Sequence, residues 1–303
     1  MEVTAARRKR INRLKKIILG TIGMAILVPI IICIFLGVKV GSQSKRIKEL
    51  ETFLTAQQKI ETEVSTVSAV PIQESSKESE TEQDLQEEVI SYEKQIYLTF
   101  DDGPSSNTEK ILDILKVYDV KATFFVVGKT DEKSKALYKR IVEEGHTLGM
   151  HSYSHKYDEV YASKESFVQD LTKLQEYLYE VTGVWPRYYR FPGGSSNQVS
   201  KVDMQEFIAY LNESEITYFD WNISSGDAVN EQPSVEAIIN NVLPKIDIQT
   251  ECMILMHDAT AKGTTVEALP EIISQIRLQG DAEFFAITDE TVPIQHLKAE
   301  SDN

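Results

Sequence analysis

The sequence predicts an α/β chain: a distorted (β/α) barrel of about seven strand–helix units, preceded by an N-terminal transmembrane helix and a disordered tether. Three observations lead there. From residue 95 onward, short apolar runs alternate with amphipathic helical patterns, as in a parallel sheet with right-handed crossovers. A charge-free apolar stretch occupies residues 17–38. Between the two lies a long segment rich in Ser, Thr and Glu. A doubly wound sheet is the alternative arrangement of the same units, but no G-x-G-x-x-G follows any strand.

Residues 1–16 read as a basic cytoplasmic tail, with Arg7, Arg8, Lys9, Arg10, Arg13, Lys15 and Lys16. Residues 17–38, "IILGTIGMAILVPIIICIFLGV", span a hydrocarbon core of roughly 30 Å at about 1.5 Å per residue. Four basic residues follow: Lys39, Lys45, Arg46 and Lys48. The excess before the run predicts a single-pass protein of the cell membrane with its N-terminus inside and its C-terminal domain outside. A cleaved signal peptide is the competing reading. The run is longer than the roughly 7–15 apolar residues of a signal, and no clear A-x-A site follows.

Residues 39–93 read as a juxtamembrane helix and an acidic linker. Ile47, Leu50 and Leu54 fit one helical stripe, but the pattern breaks at Gln57 and Glu61, so no lasting coiled coil is expected. "QESSKESETEQDLQEE" cannot bury enough apolar surface to order itself. The chain carries a net charge of −15. It divides into about +10 over residues 1–48, about −9 over 49–94 and about −16 beyond. An acidic main domain excludes nucleic acid as a partner, because phosphate binding needs a basic patch. The two cysteines, Cys33 and Cys252, fall in the apolar run and in a buried strand pattern, so no disulfide framework is expected. No protein partner is predicted.

The main domain is assigned to residues 94–297, with a tail at 298–303. "QIYLTF" is the first strand. "NTEKILDILKVYDV" is a helix with a polar start and apolar Ile111, Leu112, Leu115 and Tyr118. "ATFFVV" is the second strand, and "DEKSKALYKRIVEEG" a helix stopped at Gly145. "TLGM" is a short third strand. In "SKESFVQDLTKLQEYLYEVTG", Phe167, Leu171, Leu174, Leu178 and Val181 step by 4, 3, 4 and 3, which is helical. "RYYRF" is the fourth strand, "KVDMQEFIAYLNES" a helix and "ITYFDW" the fifth strand. The helix "PSVEAIINNVLPKI", the strand "CMILMH", the helix "TVEALPEIISQIRLQG" and the strand "EFFAIT" complete the series.

A barrel places function at the C-terminal ends of its strands. Asp101 and Asp102 follow the first strand; His151 and His155 follow the third; Arg190 and "FPGG" follow the fourth. Asp220, Trp221 and Asp227 follow the fifth, and His257 and Asp258 the sixth. H-x₃-H is expected to bring two imidazoles onto one side of a helical turn. A carboxylate from the Asp pair completes the usual catalytic set of three protein ligands with an open position. Gly103-Pro104 turns the chain sharply off the strand. Each residue alone has a bland explanation: a capping carboxylate, a polar strand end, a surface arginine, a core aromatic. Five polar sites in register at strand ends are not explained that way together.

"TFDDGPS", "HSYSH", "RFPGG" and "ILMHD", in this order and spacing, resemble the polysaccharide deacetylases with a NodB-like domain, carbohydrate esterase family four. The resemblance covers about two-thirds of the chain and leaves out the anchor and tether. It implies a distorted barrel and metal-dependent removal of acetyl groups from N-acetylated, sometimes O-acetylated, sugars. The implied cofactor is a divalent cation, commonly Zn²⁺, with Co²⁺ or Mn²⁺ as substitutes. Matched residue by residue, it makes Asp101 the general base and Asp102, His151 and His155 the metal ligands. Arg190 orients the base, the Gly193 N–H binds the oxyanion, Leu255 lines the acetyl-methyl pocket, and His257 is the general acid, tuned by Asp227.

Two motifs depart from the family pattern. R-P-P-Y reads Arg190-Phe191-Pro192-Gly193, which keeps a backbone donor and loses an aromatic wall. D-x-x-D-W reads Ser224-Ser225-Gly226-Asp227-Ala228, which keeps only the second Asp. Trp221 or Tyr189 is assigned the missing aromatic face and is read as substrate-binding. The expected substrate is an acetylated cell-surface glycan. Peptidoglycan N-acetylglucosamine stands first; chitin oligomers, an N-acetylglucosamine exopolysaccharide and acetylated xylan stay open. The competing functions are a catalytically degenerate glycan-binding wall protein and a hydrolase of another carbon–nitrogen amide.

Overall fold

The computed structural model describes residues 94–229 and 231–299. The basic tail, apolar run, juxtamembrane helix and acidic linker expected over residues 1–93 lie outside the described residues. Among the described residues no helix is long and apolar enough to cross a membrane.

The elements run β1 (Lys94–Asp101), α1 (Ser106–Val117), β2 (Thr123–Val127), α2 (Glu132–Glu143), β3 (Thr147–Ser152), α3 (Tyr157–Val160), α4 (Lys164–Thr182), β4 (Tyr188–Tyr189), α5 (Met204–Glu213), β5 (Thr217–Tyr218), β6 (Ile223–Ser224), α6 (Val235–Ile246), β7 (Glu251–His257), α7 (Gly263–Gln279) and β8 (Ala282–Phe285). The helices begin where small polar side chains cap them. Ser105, Asp131, Ser163, Asp203 and Ser234 each accept a hydrogen bond from a backbone N–H of the first turn. Gly183 and Gly280 end α4 and α7 in the left-handed conformation.

The strands form one parallel sheet in the order β5-β4-β3-β2-β1-β7-β6. β1 is shared: its first half pairs with β8 (Lys94–Ala282 to Tyr97–Phe285) and its second half with β2 (Thr99–Thr123 to Asp101–Phe125). The sheet curls until its two edges are joined by one short link. Phe219 N–H donates to Tyr189 O at 2.8 Å on the β4 side, and Asn222 N–H donates to Met253 O at 3.2 Å on the β7 side. No ladder joins β5 to β6, so the barrel stays open there.

Seven strands were expected and eight are found. "ITYFDW" is ladder only at Thr217–Tyr218; the chain then leaves the β4 edge, crosses the gap and enters β6. Its apolar residues are buried for a different reason: Phe219 fills the barrel interior instead of extending a ladder.

Strand alternation sorts the side chains into two layers. Ile96, Leu98 and Phe100 of β1, with Phe124, Val126, Cys252, Ile254 and Met256, face the helices and pack on Ile111, Leu115, Leu171, Ile272 and Ile276. Tyr97, Phe125, Phe219, Met253 and Ile287 fill the interior. Fully buried side chains of this kind contribute about 1.5–3 kcal/mol each.

Candidate active site

The alternation that fills the barrel also builds its rim. Side chains 97, 99 and 101 of β1 form one inward row, and 253, 255 and 257 of β7 form its neighbour. They pair in register: Tyr97 with Met253, Thr99 with Leu255, Asp101 with His257. The lower members close the interior. The uppermost pair sets a carboxylate beside an imidazole, with Leu255 one level below and 5% exposed.

Asp101 is only 2% exposed, and its Oδ1 accepts from Arg190 Nη1 at 2.9 Å. Arg190 is itself fully buried. Nη1 also donates to Thr99 Oγ1 at 2.7 Å, Nε to Phe219 O at 3.0 Å and Nη2 to Asp220 O at 2.8 Å. Its guanidinium carbon lies 4.2 Å over the Phe125 ring. A charge survives burial only when paired and hydrogen-bonded, and this one is both. The planar fork ties β1 to the β5–β6 link and holds the carboxylate toward the rim.

His151 sits near the end of β3 and His155 in the turn that follows. His155 has φ +53 and Asp102 has φ +75. Left-handed backbone outside glycine costs about 1–3 kcal/mol and persists only where the surroundings hold it. Both residues spend it to aim side chains at one point. The Nε2 atoms of His155 and His151 lie 3.1 and 3.5 Å from Asp102 Oδ1. The two histidines do not share a helical turn as their spacing suggested. One hangs from a strand and the other from a left-handed turn.

These three residues form the cation-capable cluster among the described residues, with one ligand atom from each within 4.8 Å of the others. Asp102 Oδ1 is buried and lies close to both imidazoles without a conventional hydrogen-bond partner among the described residues. His151 Nδ1–H donates to Arg190 O at 2.7 Å, which leaves its Nε2 lone pair facing Asp102. Ligand atoms about 2.0–2.2 Å from a tetrahedral cation lie about 3.3–3.6 Å apart, near the spacings found here. The donor set fits a divalent cation. Burial alone would raise the Asp102 carboxyl; His155 and His151, with His257 beyond them, outweigh it and hold it well below the usual carboxylate range. Asp102 raises His155, whereas burial pushes His151 down.

His257 Nδ1–H donates to Asp227 Oδ1 at 2.7 Å. Asp227 Oδ2 accepts from the His257 N–H at 2.8 Å and from Thr265 Oγ1 at 2.7 Å, so the carboxylate is fully engaged. Burial opposes the imidazolium, yet Asp227, with Asp101 and Asp102 behind it, pushes His257 up to about 9. It is a protonated donor at neutral pH, beside the Asp101 acceptor. On the other side of the rim, Gly193 has φ +79 and is exposed, and its N–H has no acceptor among the described residues.

A sequence profile of the polysaccharide deacetylase family matches residues 89–209. The putative polysaccharide deacetylase YheN of Bacillus subtilis is 32% identical over 67% of this chain and 70% of its own length. The chain belongs to the polysaccharide deacetylase family. A peptidoglycan-N-acetylglucosamine deacetylase of Bacillus cereus is 34% identical, over 65% of this chain and 71% of its own. The catalytic domain of peptidoglycan N-acetylglucosamine deacetylase from Eubacterium rectale superimposes with a TM-score of 0.64 at 36% identity, covering 69% of this chain and 94% of that one.

Of the residues singled out in the sequence of this polysaccharide deacetylase, Asp101, Asp102, His151, His155, Arg190, Gly193, Asp227, Leu255 and His257 meet at one end of the barrel. Trp221 is half-buried at its margin, 5.9 Å from the Arg190 guanidinium and edge-on to His296 at 4.9 Å. Tyr189 does not belong. It is fully buried against Phe167 and Phe191, because with Arg190 turned inward the preceding residue must face the helices.

The aromatic ring beside Gly193 is instead Tyr157 of α3. A Cβ at 193 would stand 3.2 Å from its Cε1 and hydroxyl, and its ring meets His155 edge-on at 5.7 Å. Sequence reasoning missed this residue; its place two positions after His155 was the available signal. Asp220 was noted without a role. It accepts from Ser195 N–H at 2.8 Å, from Ser195 Oγ at 2.5 Å and from His296 N–H at 2.7 Å, tying the segment after Gly193 to the C-terminal strap. Asp258 is fully buried under Gly103, accepts from Thr108 Oγ1, and is pushed up to about 7 by burial and by Asp102 and Asp101.

Proposed function

We propose that this protein hydrolyses the N-acetyl groups of a cell-surface polysaccharide, with the N-acetylglucosamine of peptidoglycan as substrate. The observation that carries the reading is the adjacent, in-register pairing of a buried carboxylate, Asp101, with a protonated imidazole, His257. Both stand beside the Asp102–His151–His155 trio. An amide needs a base for water, a charge sink for the carbonyl oxygen and an acid for the amine, and the rim holds all three.

Asp102, His151 and His155 would hold the metal, with zinc first among candidates for a two-imidazole, one-carboxylate set. The metal would supply Lewis-acid charge and a lowered pKa for water. Asp101 accepts the proton of the attacking water, oriented by Arg190. The Gly193 N–H donates to the oxyanion of the tetrahedral intermediate. Leu255 walls the pocket for the acetyl methyl, and Tyr157 and Trp221 flank the sugar. His257 gives its proton to the leaving nitrogen, and Asp227 stabilises the charged form that donates it. The products are acetate and a free sugar amine.

The peptidoglycan assignment is supported by the named activities of the Bacillus cereus and Eubacterium rectale relatives. The charge-free apolar run at residues 17–38, read as an anchor, and the acidic segment over 39–93, read as an outward tether, would put the enzyme against that substrate. Incubating the zinc-supplemented full chain with acetylated peptidoglycan, chitin oligomers and acetylated xylan tests the reading. Acetate and amine released in equal amounts, chiefly from peptidoglycan, and abolished by chelator and by Asp101→Asn, are expected. Glycan binding without acetate from any substrate would establish the degenerate, sugar-binding alternative instead.

A further inference from the structure

The turn between the two histidines is held by a residue outside every motif. Asp170 lies on α4, a helix fixed by the buried Phe167, Leu171, Leu174 and Leu178. Its Oδ2 accepts from Ser152 Oγ at 2.8 Å and from Tyr153 N–H at 2.7 Å, and its Oδ1 accepts from Ser154 N–H at 3.0 Å. Ser152 Oγ in turn accepts from His155 N–H at 2.9 Å. The three successive backbone donors 153, 154 and 155 therefore end, directly or through one hydroxyl, on a single carboxylate. Lys173, one turn along the same helix, caps the Tyr153 ring at 3.8 Å.

We propose that Asp170 is the positioning residue of the metal centre: it imposes the left-handed turn that carries His155 Nε2 to Asp102 and His151. The inference rests on the metal-site reading above. Apart from Asp170 and the Ser152 hydroxyl that it holds, nothing among the described contacts accepts from the backbone N–H groups of 153–155. A turn without that carboxylate would relax toward ordinary backbone angles and swing His155 away, leaving two ligands. Both oxygens of Asp170 are acceptors in use. Asn offers one acceptor and would point an N–H₂ at an existing donor, so Asp170→Asn disrupts the cradle with little change of volume.

The experiment is zinc affinity of the full chain by competition with a chromophoric chelator, alongside metal-free melting and the visible spectrum of the cobalt-loaded protein. For Asp170→Asn the expected results are about 10–100-fold weaker zinc binding, as for other partners that orient ligands, and a weakened tetrahedral cobalt spectrum. Ile276→Val, a core change on α7 away from the rim, serves as the stability control and should leave zinc affinity unchanged. Ser152→Ala, which removes only the hydroxyl between Asp170 and His155, should weaken zinc at least threefold and decides the matter if Asp170→Asn does not fold. Zinc affinity within twofold of the parent in the folded variants would overturn the inference and leave the metal-site reading standing. A parent chain that binds no zinc would overturn both.

Discussion

Replacing Asp227 by Asn should weaken the hold of His257 on its proton and bring its titration back toward that of an ordinary histidine. An ordinary histidine titrates near 6.5, and this one is pushed up to about 9 although burial opposes its charge. A rise of that size favours the imidazolium by a few kcal/mol, each pH unit being worth about 1.36 kcal/mol. Asp227 is the largest favourable contributor, through its 2.7 Å hydrogen bond and its charge. Asn keeps the shape and loses the charge, while burial stays. The His257 pKa is expected to fall by at least about one unit, toward its ordinary value, with Asp101 and Asp102 alone still supporting it. Proton NMR titration of the imidazole Cε1–H in the metal-free chain reads this directly, and the alkaline limb of the kcat–pH profile should move the same way. Stability follows with a defined sign. A raised folded-state pKa stabilises fully below about 6.5 and loses that contribution as pH rises through about 9. The gap in stability between parent and variant should therefore be widest near pH 6 and narrow by pH 10. A His257 titration unmoved by the substitution, or a gap that stays flat from pH 6 to 10, would refute the assignment.

Arg190→Met leaves Asp101 charged, buried and unpaired, and strips the donors from Thr99 Oγ1, Phe219 O and Asp220 O. Breaking a buried pair costs about 3–5 kcal/mol, which at about 2–4 °C per kcal/mol for a domain of this size lowers Tm by about 6–20 °C. A calorimetric shift under 2 °C would contradict the structural part assigned to this residue. Gly103→Ala places a Cβ 2.1 Å from Asp258 Oδ2, where the carboxyl is enclosed and held by Thr108. Overpacking of this kind costs about 1–3 kcal/mol and displaces Asp101 and Asp102, so deacetylation should drop at least tenfold; full activity would show the loop to be tolerant.

The site was legible where strand alternation and spacing in sequence carry it. Once β1 and β7 are recognised as parallel neighbours, alternation alone turns Asp101 and His257 inward. The same rule, applied to β4, excludes Tyr189 as soon as Arg190 is known to point inward, and that step was not available before the structure. β6 was illegible because two residues of ladder carry no periodicity, and the Phe219 burial beside it mimics a continued strand. Asp170 and Tyr157 escaped for another reason. Asp170 acts across 16–18 residues of chain through hydrogen bonds from one hydroxyl and two main-chain N–H groups, which leave no mark on composition. Tyr157 had one sequence signal, its place two positions after His155, but nothing in the pattern separates it from a core aromatic until its helix is placed against Gly193.

The most direct test is diffraction at the zinc absorption edge from crystals of the zinc-loaded full chain. The account predicts one anomalous peak bonded to Asp102 Oδ1, His151 Nε2 and His155 Nε2, and its disappearance in Asp102→Asn. Zinc bound elsewhere, or a peak that persists without the Asp102 carboxylate, would contradict it.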